Sequence, residues 1–224
     1  MSVIESRPLA ERTLGDIAAH LAGATAVLRA YKLDFCCGGE ATLGAAAAAN
    51  GLPVAAVAAA LAALAPASEI DAPRAPAALI EHILSRYHAV HRHELPELIR
   101  LARTVEKVHA RHPACPAGLA DALEEVAAEL ESHMQREEIV LFPLMRQGGH
   151  PMIAHPIACM RHEHDAHGAR LRHLETLTHG CVTPADGCAT WRALNAGVAK
   201  LIDDLMQHIH LENNVLFPQF GVPG

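Results

Sequence analysis

Two stretches of this chain, "HMQREEIVLFP" starting at His133 and "HIHLENNVLFP" starting at His208, set a histidine four residues before a glutamate. Both read H-x-x-x-E-x-x-V-L-F-P. In a helix, residues at i and i+4 share one face, about 6 Å apart along the axis. An imidazole and a carboxylate so placed can grip one cation. The chemistry depends on where that face points, because a carboxylate buried without a partner is costly and tends to shift its pKa or recruit a cation.

The apolar pattern answers that. Leu119, Leu123, Val126, Leu130, His133, Glu137, Val140 and Leu144 alternate steps of four and three, and so do Leu194, Val198, Leu201, Leu205, His208, Glu212 and Val215. Two more stripes carry histidines without a carboxylate: Leu84, His88, His91, Leu95, Leu98, Ala102, Val105 and His109, and then Ile157, Met160, His164, His167, Leu171 and Leu174. These are core-facing stripes of helices. The pattern predicts helix A over about 77–110, helix B over 116–147, helix C over 156–178 and helix D from after Asp186 to about 217. Short connections between them imply an up-down-up-down four-helix bundle with the polar groups aimed at its axis.

A lone histidine on such a stripe is more often a satisfied core residue than a ligand. Two H-x-x-x-E pairs with an identical V-L-F-P tail, facing further histidines, reverse that expectation. Four histidines and two glutamates are too many donors for one tetrahedral zinc and fit two ions bridged by both carboxylates. Imidazole with carboxylate suits iron and, less distinctively, manganese or zinc. In helix A the pattern leaves His88, His91 and His93 open as ligand, with His93 off the stripe. His167 stands to His164 as His91 does to His88. His150, His155, His162, His173 and His179 read as surface residues.

Stepping outward, residues 1–66 form a small alanine-rich helical region broken at Gly38-Gly39 and Asn50-Gly51. Residues 67–76 close a proline-rich linker, and residues 77–224 carry the four helices. Half the 224 residues are apolar and only 3% aromatic, a mix that favours helix over strand. A net charge of −7 and the lack of a Lys/Arg block argue against nucleic acid or an anionic membrane as partner. The uncharged window from Ala41 to Ala67 is too weakly hydrophobic, and too broken by Asn50, Gly51 and Pro53, to span a membrane. No secretory signal is visible, and the six cysteines show no framework spacing, as expected of reduced thiols in a cytoplasm. Two of them are adjacent in "DFCCGG". A disulfide between neighbours closes a strained ring, so Cys36 and Cys37 are candidates for redox exchange, reaction with nitric oxide or iron transfer, against a plain role at a helix end. Cys115, Cys159, Cys181 and Cys188 look incidental.

Over nearly its whole length the chain resembles the Repair of Iron Centers family of di-iron proteins. The resemblance rests, in order, on "YKLDFCCGGEATL", "SRYHAVHRHELPELI", "ESHMQREEIVLFPLM", "RHEHDAHG" and "LIDDLMQHIHLENNVLFP". It implies a small double-cysteine domain ahead of a hemerythrin-like four-helix bundle. It also implies two oxo- or hydroxo-bridged iron ions held by His88, His133, Glu137, His164, His208 and Glu212, and so chooses His88 over His91. Glu129 and Glu163 match family positions on a solvent route to the irons, though plain solvated helix charges would look the same. The implied function is a response to nitrosative or oxidative stress that binds nitric oxide and supports repair of iron–sulfur proteins. Iron donation, nitric oxide reduction and denitrosylation all stay open as mechanisms. An oxygen-binding or sensing hemerythrin is the alternative, and it would need no cysteine-bearing region, so removing residues 1–66 would leave it intact. A ferritin-like oxidase or iron store would be richer in carboxylates at the centre.

Overall fold

The computed structural model describes residues 7–64 and 72–221. Residues 67–71 of the expected linker lie outside the described residues. The protein is all-helical, and among the described residues the β-pairing is a single bridge between Thr13 and Thr42. Among the described residues, no helix is long and apolar enough to cross a membrane. The chain divides into two compact units, one of Met1–Leu79 with Met206–Gly224 and one of Ile80–Leu205.

In the first unit, α1 (Leu14–His20), α2 (Ala24–Ala30), α3 (Leu43–Ala49) and α4 (Val54–Ala62) are too short to persist alone. Packing and caps hold them. Leu14, Ile17, Leu28, Leu33, Phe35, Leu43, Val57 and Leu61 are buried. Thr13 and Thr42 cap α1 and α3 by accepting hydrogen bonds from the N–H groups of Asp16 and Ala45, each at 3.2 Å, worth about 1 kcal/mol apiece. The bridge between these two caps ties the helix starts together, with Leu14 N–H donating to Ala41 O and Leu43 N–H to Arg12 O.

The second unit holds the end of α5 (Pro76–Ile83), then α6 (Ala89–Val108), α7 (Leu119–Arg136), α8 (Phe142–Arg146), α9 (Ala154–Leu177) and α10 (Ala189–His210) up to Leu205. Helix A is α5 joined to α6, helix B is α7 joined to α8, helix C is α9 and helix D is α10. Cross-helix pairs give the directions. Between A and B, Arg92 meets Glu131 and Arg103 meets Glu124. Between B and C, Arg136 meets Glu163 and Arg170 meets Glu129. Between A and D, Arg86 meets Asp204, Glu94 meets Lys200 and His109 meets Cys188. In each set one number rises as the other falls, so neighbours run antiparallel, up-down-up-down. Helices A and D approach closely at Gly197, where a Cβ would stand 2.5 Å from a Leu98 methyl.

The stripes carry a correction. Helices A, B and D each contain a π-helical stretch, at Leu84–His88, Glu137–Leu141 and Leu211–Leu216. A π-turn holds one more residue than an α-turn, so the face that points inward slips by one position. Val140 and Val215, expected inside, are 49% exposed and half-buried, while Leu141 and Leu216 are buried in their place. Met145 likewise replaces Leu144, and Ile83 replaces Leu84. Helix C has no such stretch, and all six of its expected inward residues are buried.

Candidate metal centre

All three π-turns hold a histidine or glutamate expected to bind metal: His88 closes the first, Glu137 opens the second and Glu212 is second in the third. Irregular turns of this kind concentrate at functional sites, where they re-aim side chains. His88, Glu137, His164 and Glu212 are wholly buried, and His133 and His208 are nearly so.

Within the second unit, Glu137 is the hub. Its Oε2 lies 3.4 Å from His88 Nε2 and its Oε1 lies 3.4 Å from His133 Nε2, so each carboxylate oxygen faces a different ring. His164 Nε2 lies 3.1 Å from His133 Nε2. Two ring nitrogens that bind one ion through bonds of about 2.1 Å stand about 3.0–3.4 Å apart, which is the separation found. In the first unit, His208 Nε2 lies 3.1 Å from Glu212 Oε1 on the same helix face.

The rings are oriented from behind. His88 Nδ1 lies 2.8 Å from Glu138, which Arg92 also holds at 2.8 Å. His133 Nδ1 lies 2.7 Å from Glu163, which Arg136 holds at 2.5 Å. Nδ1–H donates to the carboxylate in each case, leaving the Nε2 lone pair aimed at Glu137. A lone pair 3.4 Å from a carboxylate oxygen is repulsive until a cation stands between them, so this donor set fits a metal. Burial pushes the carboxyl pKa values of Glu138 and Glu163 up, but the hydrogen bonds from Arg92 and His88, and from His133 and Arg136, bring both below the ordinary value. Both stay ionised and keep their acceptor role.

Glu163 thus orients the His133 ring, and Glu138, which does the same for His88, was missed by sequence reasoning. Its only signal was its place beside Glu137, which alternation consigns to the surface. Glu129 and Glu163 do border a common cleft of about 770 Å³ between α7 and α9, together with Arg136, Arg170 and His167. Arg170 grips Glu129 through two hydrogen bonds, at 2.6 and 3.1 Å, and holds its carboxyl below the usual range. His167 is buried beside His133 with ring centroids 5.0 Å apart, and burial followed by the neighbouring imidazoles pushes it down to about 4. His91 is buried as well, against Tyr87. The histidines at 93, 150, 155, 162, 173 and 179 are exposed.

All six cysteines are free thiols. Cys36 and Cys37 sit in the first unit with sulfurs 3.7 Å apart, and Cys36 Sγ lies 3.3 Å from Asp34 Oδ1. Cys188 is less incidental than its sequence setting implied, because His109 Nε2 lies 3.2 Å from its sulfur.

Comparison with known proteins accords with this geometry. The hemerythrin HHE cation-binding domain matches residues 79–220, and ScdA_N, a domain of unknown function, matches residues 10–65. The iron–sulfur cluster repair protein YtfE of Musicola paradisiaca is 47% identical over 212 residues, covering 93% of this chain and 96% of the relative. The YtfE protein of Cronobacter sakazakii is 48% identical over 211 residues, with the same coverage.

Proposed function

The chain belongs to the hemerythrin HHE family, as an iron–sulfur cluster repair protein of the YtfE type, and from that premise we propose that it is a non-heme di-iron protein of the nitrosative and oxidative stress response. It binds nitric oxide and supports the repair of damaged iron–sulfur proteins in the cytoplasm, where its six thiols stay reduced.

One observation carries this reading: buried Glu137 offers one oxygen toward His88 and the other toward His133. A carboxylate shared in that way is suited to bridging two ions. His88 would serve one iron, and His133 with His164 the other. The repeated H-x-x-x-E-x-x-V-L-F-P motif supports His208 and Glu212 as the matching half of the set, and the family match spans both halves. Two histidines per ion, rather than a carboxylate-rich shell, favour small-molecule binding over iron storage.

When bound, the iron pair supplies ferrous–ferric redox chemistry and an open position for a small diatomic ligand. The remaining chemistry belongs to the chain. Glu138 and Glu163 hold the Nδ1 protons of His88 and His133, which fixes the rings and raises their basicity. Burial of the ligands keeps bulk water from competing. The cleft bordered by Glu129 and Glu163 provides polar access on the His133 side, and Cys36 and Cys37 are the thiols available for redox exchange or iron transfer.

Metal analysis and optical spectra of anaerobically purified protein test this, before and after reduction and nitric oxide addition. About two irons per chain, with absorption that bleaches on reduction and a new band with nitric oxide, is the expected result. Zinc alone, or iron indifferent to nitric oxide, would leave a metal-stabilised bundle without the stress role.

A further inference from the structure

The double-cysteine loop has a geometry that a pair of redox thiols does not require. The oxygen of Asp34 and the sulfurs of Cys36 and Cys37 all lie within 4.8 Å of one another. Metal–sulfur bonds of about 2.3 Å at the tetrahedral angle set two thiolates about 3.8 Å apart, and a carboxylate oxygen at about 2.0 Å would stand about 3.5 Å from each. The observed edges are 3.7 Å for Cys36 to Cys37 and 3.3 Å for Cys36 to Asp34. Two edges of a metal tetrahedron are therefore already drawn.

The loop is also held in this shape. Asp34 Oδ1 accepts the Cys37 N–H at 3.0 Å, folding the chain back over the carboxylate. Gly38 lets that fold close, since a Cβ there would stand 2.8 Å from Asp34 O. Asn213 and Asn214, directly after Glu212, donate to the carbonyls of Cys36 and Phe35 at 3.0 and 3.1 Å. A Cβ on Gly39 would strike Asn214 Oδ1 at 2.5 Å, so glycine is what permits this seating. Cys36 is buried, whereas Cys37 and Asp34 are half-exposed, so one side of the cluster is closed and the other faces water. That is the form of an exchange site, where a fourth position stays open to solvent or to an incoming ligand.

We propose that Asp34, Cys36 and Cys37 form a further metal site, separate from the histidine–glutamate centre, for one divalent cation of borderline softness such as Fe2+ or Zn2+. Binding releases both thiol protons to solvent and leaves two thiolates and one carboxylate on the ion, so affinity rises with pH. That the ion is ferrous iron moving to or from a repair client rests on the function proposed above, whereas the site itself does not.

Anaerobic titration of the full, reduced chain with Co2+ is the test, because thiolate–cobalt charge transfer absorbs strongly in the near ultraviolet and histidine–carboxylate sites do not produce it. The expected result is a charge-transfer band that saturates at one equivalent and is lost in Cys37→Ser, with affinity at least tenfold weaker in Asp34→Asn. Asp34→Asn keeps the acceptor for the Cys37 N–H, and Cys37 is half-exposed, so both variants should fold, which helical circular dichroism checks. A chain without the band, or a Cys37→Ser variant that keeps it, overturns the proposal. Failure of the di-iron reading is a separate outcome, seen as iron retained in full by Glu137→Ala, with the thiolate band unaffected.

Discussion

Glu138 lies 2.8 Å from Nδ1 of His88, and that contact decides which nitrogen of the ring faces the centre. The carboxylate accepts a hydrogen bond from Nδ1–H and so turns Nε2 toward Glu137. Replacing Glu138 with glutamine keeps the size but weakens the acceptor and removes the charge that makes the imidazole more basic. Loss of such a supporting carboxylate typically costs 10–100-fold in metal affinity, so Glu138→Gln should weaken iron binding by about that factor. Chelator competition against the wild-type chain measures it. Equal affinities would mean that the 2.8 Å contact is a surface ion pair and no more.

Glu137 and Glu212 should be far less replaceable. If each bridges, removing either leaves both ions short of a ligand, and Glu137→Ala and Glu212→Ala should each lose most of the bound metal. Inductively coupled plasma analysis after gel filtration reads this directly. Two irons retained by both variants would end the bridging assignment.

Much of this centre was legible in the residue order. An imidazole and a carboxylate four apart on an apolar stripe can only be an inward pair, and the motif states it twice. Helix C read correctly along its whole length because it is uninterrupted. Helices A, B and D misread from the π-turn on one side, since periodicity assumes 3.6 residues per turn and cannot register an inserted residue. Val140 and Leu141 are both good core residues, so composition could not choose between them. Glu138 was hidden for a related reason: a charged residue next to a buried one reads as solvent-facing unless the partner across the helix pair is known. His109 with Cys188, far apart in the chain, left no sequence signal.

Cys188 sits just before α10, and its thiol is brought down to about 7, chiefly by the hydrogen bond with His109 and then by the N–H groups of Trp191 and Thr190. Thiolate is the reactive form, so its alkylation rate should rise with pH and reach half its maximum near pH 7. Cys115 should lag, because burial and then the charge of Glu106 push its thiol up. Timed iodoacetamide labelling with peptide mass spectrometry distinguishes the two. His109→Gln should move the Cys188 midpoint upward toward an ordinary thiol, and an unmoved midpoint would assign the effect to the helix start.

The π-turn in helix B makes a prediction about stability that an unbroken α-helix would reverse. With the extra residue, Leu141 is 1% exposed in the core and Val140 is 49% exposed. A continuous helix from His133 would put Val140 inward and rotate Leu141 off the stripe. Leu141→Ala should therefore cost about 2–5 kcal/mol, the range for a leucine removed from a packed core. Val140→Ala should stay within about 0.5 kcal/mol, as surface changes do. Urea unfolding of the metal-free chain measures both, with equal slopes required so that midpoints can be compared. The metal-free state matters, because bound ions stabilise the folded chain by mass action and would mask the smaller change. Should Val140→Ala prove the costlier, the turn is α-helical in solution, and the seating of Glu137 between His88 and His133 would have to be redrawn with it.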